Sequence, residues 1–320
     1  MSRTVLIGGG TGLSTFARVM KDFDSSLTLV VAVTDDGGSS GIIREAMLMP
    51  PPGDVRNNII ALADDEELLT KVFSYRFKAP SMDGHSIGNI IIAGLTEMYE
   101  SFPEAVVAAS KMLNIKGRVL PVADDLVHLV AELDDGSIIK GESKISSVGK
   151  RVRRIFLDKP AKALPEVIDA IASAETIMVG PGSILTSVVP NFLVSGVREA
   201  FRKSRGRKIY ICNIMTQPGE SEGFSLGDHV EVVEDYCGEA FDMIFWTEVR
   251  GVETSVLNRY KEKGSSPVEN DMLFDRRVKV IDGVTTALID DGRTRLVVRH
   301  SRNSILSILD ELCLLGESRI

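Results

Sequence analysis

The sequence predicts an α/β protein: a Rossmann-like, open, mostly parallel sheet with helices on both faces and a small β-rich insertion at about residues 117–157. Three observations carry this. Short aliphatic and β-branched runs alternate with stretches of helical spacing. The runs are apolar throughout rather than alternating, the pattern of parallel strands buried on both faces. Several end in glycine-rich polar turns, where an open α/β sheet places its ligand loops.

The elements follow in order. Thr4 to Ile7 reads as a strand ending in glycine, and Leu13, Phe16, Ala17 and Met20 fall at helical spacing. Leu27 to Val33 is a second strand, which completes a βαβ unit. Four helical patterns follow: one starting at Asp54, then 66–77, 87–99 and 103–113. The third is apolar almost all round and reads as buried. Leu126 to Leu133 and Ser137 to Ile139 are strand-like, with Asp134-Asp135-Gly136 as a hairpin turn. Val152, Ile155 and Leu157 suggest another strand. From Ala161 the alternation resumes: helices at 164–172, 192–201 and 226–236, strands at 176–179, 208–212, 243–246, 278–281 and 296–298, and a closing helix at 305–315.

Composition bounds the function. The chain has 320 residues, 37 Lys plus Arg against 45 Asp plus Glu, and a net charge of −8. Length alone allows one or two domains; the unbroken alternation reads as one domain over 1–320. An acidic chain disfavours unspecific nucleic-acid or anionic-membrane binding, which rests on phosphate neutralisation. Cys212, Cys237 and Cys313 are scattered, so neither a disulfide framework nor a zinc site is supported. No apolar run is long enough to span a bilayer and no leader pattern opens the chain. The expectation is a reduced, cytoplasmic protein without membrane insertion; a homo-oligomer stays possible.

The chemistry falls in turns that follow strands. Gly8-Gly9-Gly10-Thr11-Gly12 departs from the dinucleotide fingerprint, because Leu13 stands where the third glycine belongs, and no P-loop lysine follows. Glycines and a helix N-terminus still suit a phosphate, so Gly9, Gly10, Thr11 and Gly12 are ligand candidates. Asp35-Asp36-Gly37-Gly38-Ser39-Ser40-Gly41 is longer than a simple turn needs. Asp35 and Asp36 could hold Mg²⁺, accept hydroxyl protons or act as a base. In PPGDVRN, Asp54 reads as a helix N-cap, and Arg56 and Asn57 sit in a first turn where a cation opposes the helix dipole, which suggests that Arg56 meets an anion. Before the apolar helix, His85 reads as structural, whereas Asn89 is a buried amide in want of a partner. Gly182 and Ser183 follow the strand at 176–179; Asn213, Thr216 and Gln217 follow the one at 208–212. Arg299 and His300 end a strand on the same expected edge.

Six motifs in this chain, IGGGTGLS (7–14), VTDDGGSSG (33–41), PPGDVRN (51–57), GHSIGN (84–89), GPGSILTSVVPN (180–191) and NIMTQPGES (213–221), resemble the YvcK branch of the YvcK/CofD-like family. The likeness spans nearly the whole chain. It implies a Rossmann-like fold and, for this branch, cytoplasmic bacterial factors that bind uridine-diphosphate (UDP) sugars and support growth and cell shape on gluconeogenic carbon sources, with no firmly attached catalysis. The CofD branch is 2-phospho-L-lactate transferase. The resemblance further ties Tyr260 and Arg299 to sugar-nucleotide binding. One departure is Thr247-Glu248-Val249, where the family is usually Asn-rich; a glutamate there would face a diphosphate unfavourably. Three functions compete: a UDP-sugar-binding factor, a Mg²⁺-dependent phospholactate-type transferase with metal at Asp35 and Asp36, and a NAD-binding protein.

Overall fold

The computed structural model describes residues 3–24, 26–64, 66–79, 82, 84–289 and 295–313. The chain runs β1 (Thr4–Gly8), α1 (Gly10–Met20), β2 (Thr28–Val31), α2 (Gly38–Met47), α3 (Pro52–Leu62), α4 (Glu66–Ser74), α5 (Ile87–Tyr99), α6 (Phe102–Met112) and β3 (Arg118–Pro121). An insert of β4 (Leu129–Leu133), β5 (Ile138–Lys140), α7 (Glu142–Ile145) and β6 (Val152–Leu157) follows. Then come α8 (Pro165–Ser173), β7 (Thr176–Val179), a π-helical turn (Ile184–Val188), α9 (Val189–Leu193), α10 (Val197–Lys203), β8 (Arg207–Ile211), α11 (Leu226–Cys237), β9 (Met243–Glu248), α12 (Thr254–Lys261), β10 (Val278–Asp282), β11 (Val284–Ile289), β12 (Arg295–His300) and α13 (Arg302–Glu311).

Seven strands make one parallel sheet in the order β10-β9-β8-β7-β1-β2-β3. Counted within this sheet alone, the order contains the Rossmann series 3-2-1-4-5-6, and the direction of winding reverses between β1 and β7. Every residue of β1, β2 and β7 is buried, which explains their unbroken apolar runs. The helices form two groups, one around α1, α3 and α13, the other around α8 to α11. Leu6, Ile7, Phe16, Val30 and Ile177, none of them more than 0% exposed, anchor the core.

Several boundaries differ from expectation. Arg118–Pro121 is the edge strand of the large sheet, paired with β2, so the insert's own antiparallel sheet, β5-β4-β6, starts only at Leu129. The 134–136 hairpin turn is present, with Gly136 at φ +79°. The Asp35 turn runs straight into α2, which the glycines and serines conceal. The glycines have two reasons: Gly38 takes a left-handed φ of +48°, and a Cβ on Gly41 would lie 2.1 Å from the Asp36 carbonyl oxygen. The N-cap of α3 is Pro51 with Pro52 next, so Asp54 sits inside the first turn instead of capping it. The apolar α5 is buried on one side only, with Met98 65% and Tyr99 48% exposed. The expected helix over 192–201 is split at Ser195, which exchanges backbone hydrogen bonds with Ala161 and Ala163; Gly196 then turns left-handed to start α10. The strand β11 and the helix α12 lie where no element was expected. Of the expected closing helix, 314–315 lies outside the described residues.

Candidate functional site

The turns after β1, β2, β7 and β8 open on one cleft of about 460 Å³, at the β1/β7 reversal. A ligand pocket of this size is typical for a small molecule. Gly9, Gly10, Thr11, Gly12, Asp35, Asp54, Gly182, Ser183, Asn213, Thr216, Gln217, Tyr260 and Arg299 all line it.

The first turn leads into α1 through Gly9, which has no side chain to cap the helix, and no acid lies in the helix's first turn. The Gly10 amide donates to Asp54, and the next amides of α1 are donors on the cleft wall. Gly12 packs against the third turn: a Cβ there would stand 2.3 Å from the Pro181 carbonyl oxygen, a backbone atom that cannot swing aside. Gly12→Ala should therefore destabilise the fold by about 1–3 kcal/mol through overpacking and prise the first and third turns apart. Thermal unfolding checks this; an unchanged midpoint would show that the two turns do not pack as seen. Gly182 and Asn213 join the third and fourth turns reciprocally: Gly182 N donates to Asn213 Oδ1 at 3.0 Å and Asn213 Nδ2 donates to the Gly182 carbonyl at 2.7 Å. Thr216 is held by the following loop, where Ser266 N donates to its Oγ1 at 2.9 Å.

Arg299 reaches the cleft from the β11–β12 hairpin. Its Nη2 lies 3.4 Å from Thr11 Oγ1 and its Nη1 donates to the Val298 carbonyl. Tyr260 holds that strand in place, its hydroxyl accepting from Val298 N at 2.9 Å. His300, beside Arg299, is packed edge-on against Phe16. Burial depresses its pKa to about 4 and the Arg299 charge acts in the same direction, so it is neutral at pH 7.

Three carboxylates lie deep in the cleft, Asp35, Asp54 and Glu142; burial, then Asp35 and Asp54, push Glu142 well above the usual carboxylate range. Burial raises Asp35, and the charge of Asp36 adds to it, against the Gly37 amide that donates to Asp35 Oδ1 at 2.9 Å. Burial lifts Asp54 to about 7, and Asp35 pushes the same way, opposed by the Gly10 amide and the Arg56 charge. Buried carboxyls of which one, Asp35, raises the other, Asp54, fit a divalent cation. Hard oxygen donors suit Mg²⁺, which takes one or two carboxylates and completes its shell with phosphates and water. No cage of three or more metal-ligating side chains occurs among the described residues.

The remaining candidates do not line this cleft, and the reasons are physical. Asp36 turns to the insert, its Oδ1 accepting from Ser143 N at 2.8 Å and Ser143 Oγ at 2.6 Å, so the carboxylates that would hold a metal in the cleft are Asp35 and Asp54 rather than Asp35 and Asp36. Gly37 and Gly38 form the start of α2. Arg56 does not line the cleft, and the carboxyls its charge acts on are Asp54 and Asp35 within the protein. It is buried and spends its guanidinium on Ser86 Oγ, Asn89 Oδ1 at 2.8 Å and Asn57 Oδ1 at 2.8 Å. Asn89 finds its partners there and in Ser39, whose hydroxyl also lies 3.1 Å from His85 Nδ1; Ser40 lies 3.5 Å from Asn89 Nδ2. This internal network backs the Asp35 turn. Asn57 borders a side groove that continues past Arg299 with Arg18 and Thr285. Glu248 is absent from the lining and pairs with Arg250 at 2.6 Å, so it presents no charge to a diphosphate in the cleft.

Sequence reasoning missed four groups. Arg44 is fully buried and donates to the carbonyls of Thr34, Asp35 and Val127, tying the second turn to the insert. Glu142 and Ser146 enter the cleft from α7, and Thr186 from the π-helical turn. Nothing in KGESKISS announces this, because the insert's arrival at the cleft is a tertiary event.

A parallel sheet with glycine-rich turns around one cleft at its winding reversal defines a Rossmann-like α/β protein. The profile of the 2-phospho-L-lactate transferase CofD family matches residues 4–287. Bacillus subtilis gluconeogenesis factor is 39% identical over 315 residues, 97% of this chain and 98% of that one; the Halalkalibacterium halodurans gluconeogenesis factor is 43% identical over 266 residues, 82% and 83%. A crystal structure of a Bacillus halodurans protein superposes with a TM-score of 0.88 at 39% identity, covering 98% of this chain and 99% of that one. The chain belongs to the CofD family, in its gluconeogenesis-factor, YvcK-like branch.

Proposed function

We propose that this protein is a cytoplasmic factor that binds a UDP-sugar without turning it over and serves growth and cell-shape maintenance on gluconeogenic carbon sources. The observation that carries the proposal is the convergence of four strand-end turns, the α1 amides and Arg299 on one cleft. The amides and the guanidinium are donors matched to a diphosphate. Tyr260, at the same wall, adds an aromatic surface. A thermal-shift panel of UDP-sugars, UDP, GDP, NAD and Mg²⁺ tests it. A UDP-sugar at about 100 times its Kd should stabilise by roughly 2.7 kcal/mol. Stabilisation by NAD or GDP alone would overturn the ligand class.

A second reading is a Mg²⁺-dependent phospholactate-type transferase, favoured by the Asp35–Asp54 pair. Bound there with the diphosphate, Mg²⁺ would supply charge neutralisation at phosphorus. Asp54, with its carboxyl near 7, is the group able to hold and pass on a proton. Release of UMP or GMP with an acceptor alcohol would favour this reading; recovery of intact UDP-sugar after hours with Mg²⁺ favours the binding factor.

A further inference from the structure

The cleft has two chemically different walls. On one, the α1 amides that follow Gly10 and Arg299 beside Thr11 offer donors. On the other, three hydroxyls gather on one carboxylate. Ser146 Oγ donates to Glu220 Oε1 at 2.7 Å, and Ser183 Oγ donates to Glu220 Oε2. Thr186 Oγ1 lies 3.1 Å from Glu220 Oε1 and 2.6 Å from Ser183 Oγ. Glu220 is only 6% exposed and stands behind the lining, whereas all three hydroxyl residues are in it.

The direction of these bonds is fixed by chemistry. A carboxylate only accepts, so each hydroxyl that bonds to it gives up its one proton to the wall. What Ser146 and Ser183 have left for the cleft is lone pairs. A wall of acceptors repels phosphate oxygens and welcomes groups that carry O–H or N–H.

Its placement is held by the insert. Asp36 accepts twice from Ser143, Glu142 Oε2 lies 3.3 Å from Thr34 Oγ1, and Ser146 meets Glu220. Two residues of α7 and its C-cap, Ser146, are thus fastened to the turns after β2 and β8.

We propose that this wall is the sugar subsite of the cleft: Ser146 and Ser183 accept hydrogen bonds from sugar hydroxyls or an acyl-amide N–H, and Glu220 is the positioning residue that sets their polarity. The proposal rests on the nucleotide-sugar reading above and adds to it the orientation of the ligand, diphosphate on the α1 and Arg299 side, sugar against α7. The antiparallel insert then acts as a specificity module on a phosphate-binding frame.

Glu220→Gln tests this, because its amide donates where the carboxylate accepted and turns at least one hydroxyl around. Calorimetric titrations would compare UDP with UDP-glucose and UDP-N-acetylglucosamine. The expected result is a UDP-sugar affinity about tenfold lower, from one or two lost hydrogen bonds, with UDP affinity held within about twofold. Ser146→Ala, on the partly exposed α7, is the second variant should Glu220→Gln fail to fold; a smaller loss confined to the sugar nucleotides is expected. Glu220→Asp, which keeps the acceptor, should restore part of the selectivity. Parallel weakening of UDP and UDP-sugars, or no change in either, would overturn the sugar subsite while leaving the nucleotide reading intact. A parent protein that binds neither UDP nor a UDP-sugar would overturn that reading itself.

Discussion

Arg299→Ala should weaken UDP-sugar binding about 10- to 150-fold with the fold unchanged, the worth of one hydrogen bond to a charged group, roughly 1.5–3 kcal/mol. The guanidinium sits on β12 at the cleft, opposite Thr285 across the hairpin and 3.4 Å from Thr11 at the start of α1. It thus stands beside the helix amides, where a diphosphate would take donors from both. Among the described residues these two strands pair only with each other, outside the seven-stranded sheet, and Arg299 itself is not among the buried residues. Arg299→Lys should recover part of the loss, because a point charge lacks the two-pronged geometry of guanidinium. Calorimetric titration with circular dichroism decides it. Unchanged affinity in the alanine variant would remove Arg299 from the site.

Asp54→Asn should stabilise the ligand-free protein above neutral pH and, under the transferase reading, remove the Mg²⁺ dependence of ligand binding. The folded pKa of Asp54 is about 7 and lies above that of a free aspartate, chiefly through burial and then through Asp35. As pH rises from about 4 to about 7, the unfolded chain has shed this proton while the folded chain keeps it. The contribution of Asp54 to stability therefore falls across that window, and the penalty is complete above it. Asparagine carries no such penalty and its oxygen can still accept from the Gly10 amide. The gap between variant and parent should be small near pH 4 and reach a few kcal/mol, in order of magnitude, near pH 8 without divalent cation. Under the same transferase reading, Mg²⁺ with nucleotide should stabilise the parent far more than the variant. Parallel unfolding profiles from pH 4 to 8, with equal Mg²⁺ responses, would contradict the Asp35–Asp54 pairing.

The frame of this protein was legible because buried parallel strands write continuous apolar runs. Thr4 to Ile7, Thr176 to Val179 and the glycine turns behind them are local signals, and their strand-end positions led to the shared cleft. Three kinds of feature were not legible. Small residues chosen for backbone conformation at Gly38 and for packing at Gly41 hide a helix inside what reads as a loop. Polar residues in one motif can serve opposite directions: Asp35 faces the cleft while its neighbour Asp36 fastens α7. Arg56 and Asn89, each reasoned to seek a ligand, satisfy one another in the interior, a pairing across 33 positions that no spacing reveals. The arrival of Glu142 and Ser146 at the cleft likewise depends on how the insert docks.

The central claim is that the four strand-end turns form a nucleotide-sugar site, and the most direct measurement is calorimetric titration of the purified protein with a UDP-sugar in Mg²⁺, followed by chromatography of the ligand. The expected result is saturable binding at one site, competed by UDP, with the sugar nucleotide recovered intact after hours. No heat and no competition at millimolar ligand, or conversion of the ligand to UMP, would contradict it.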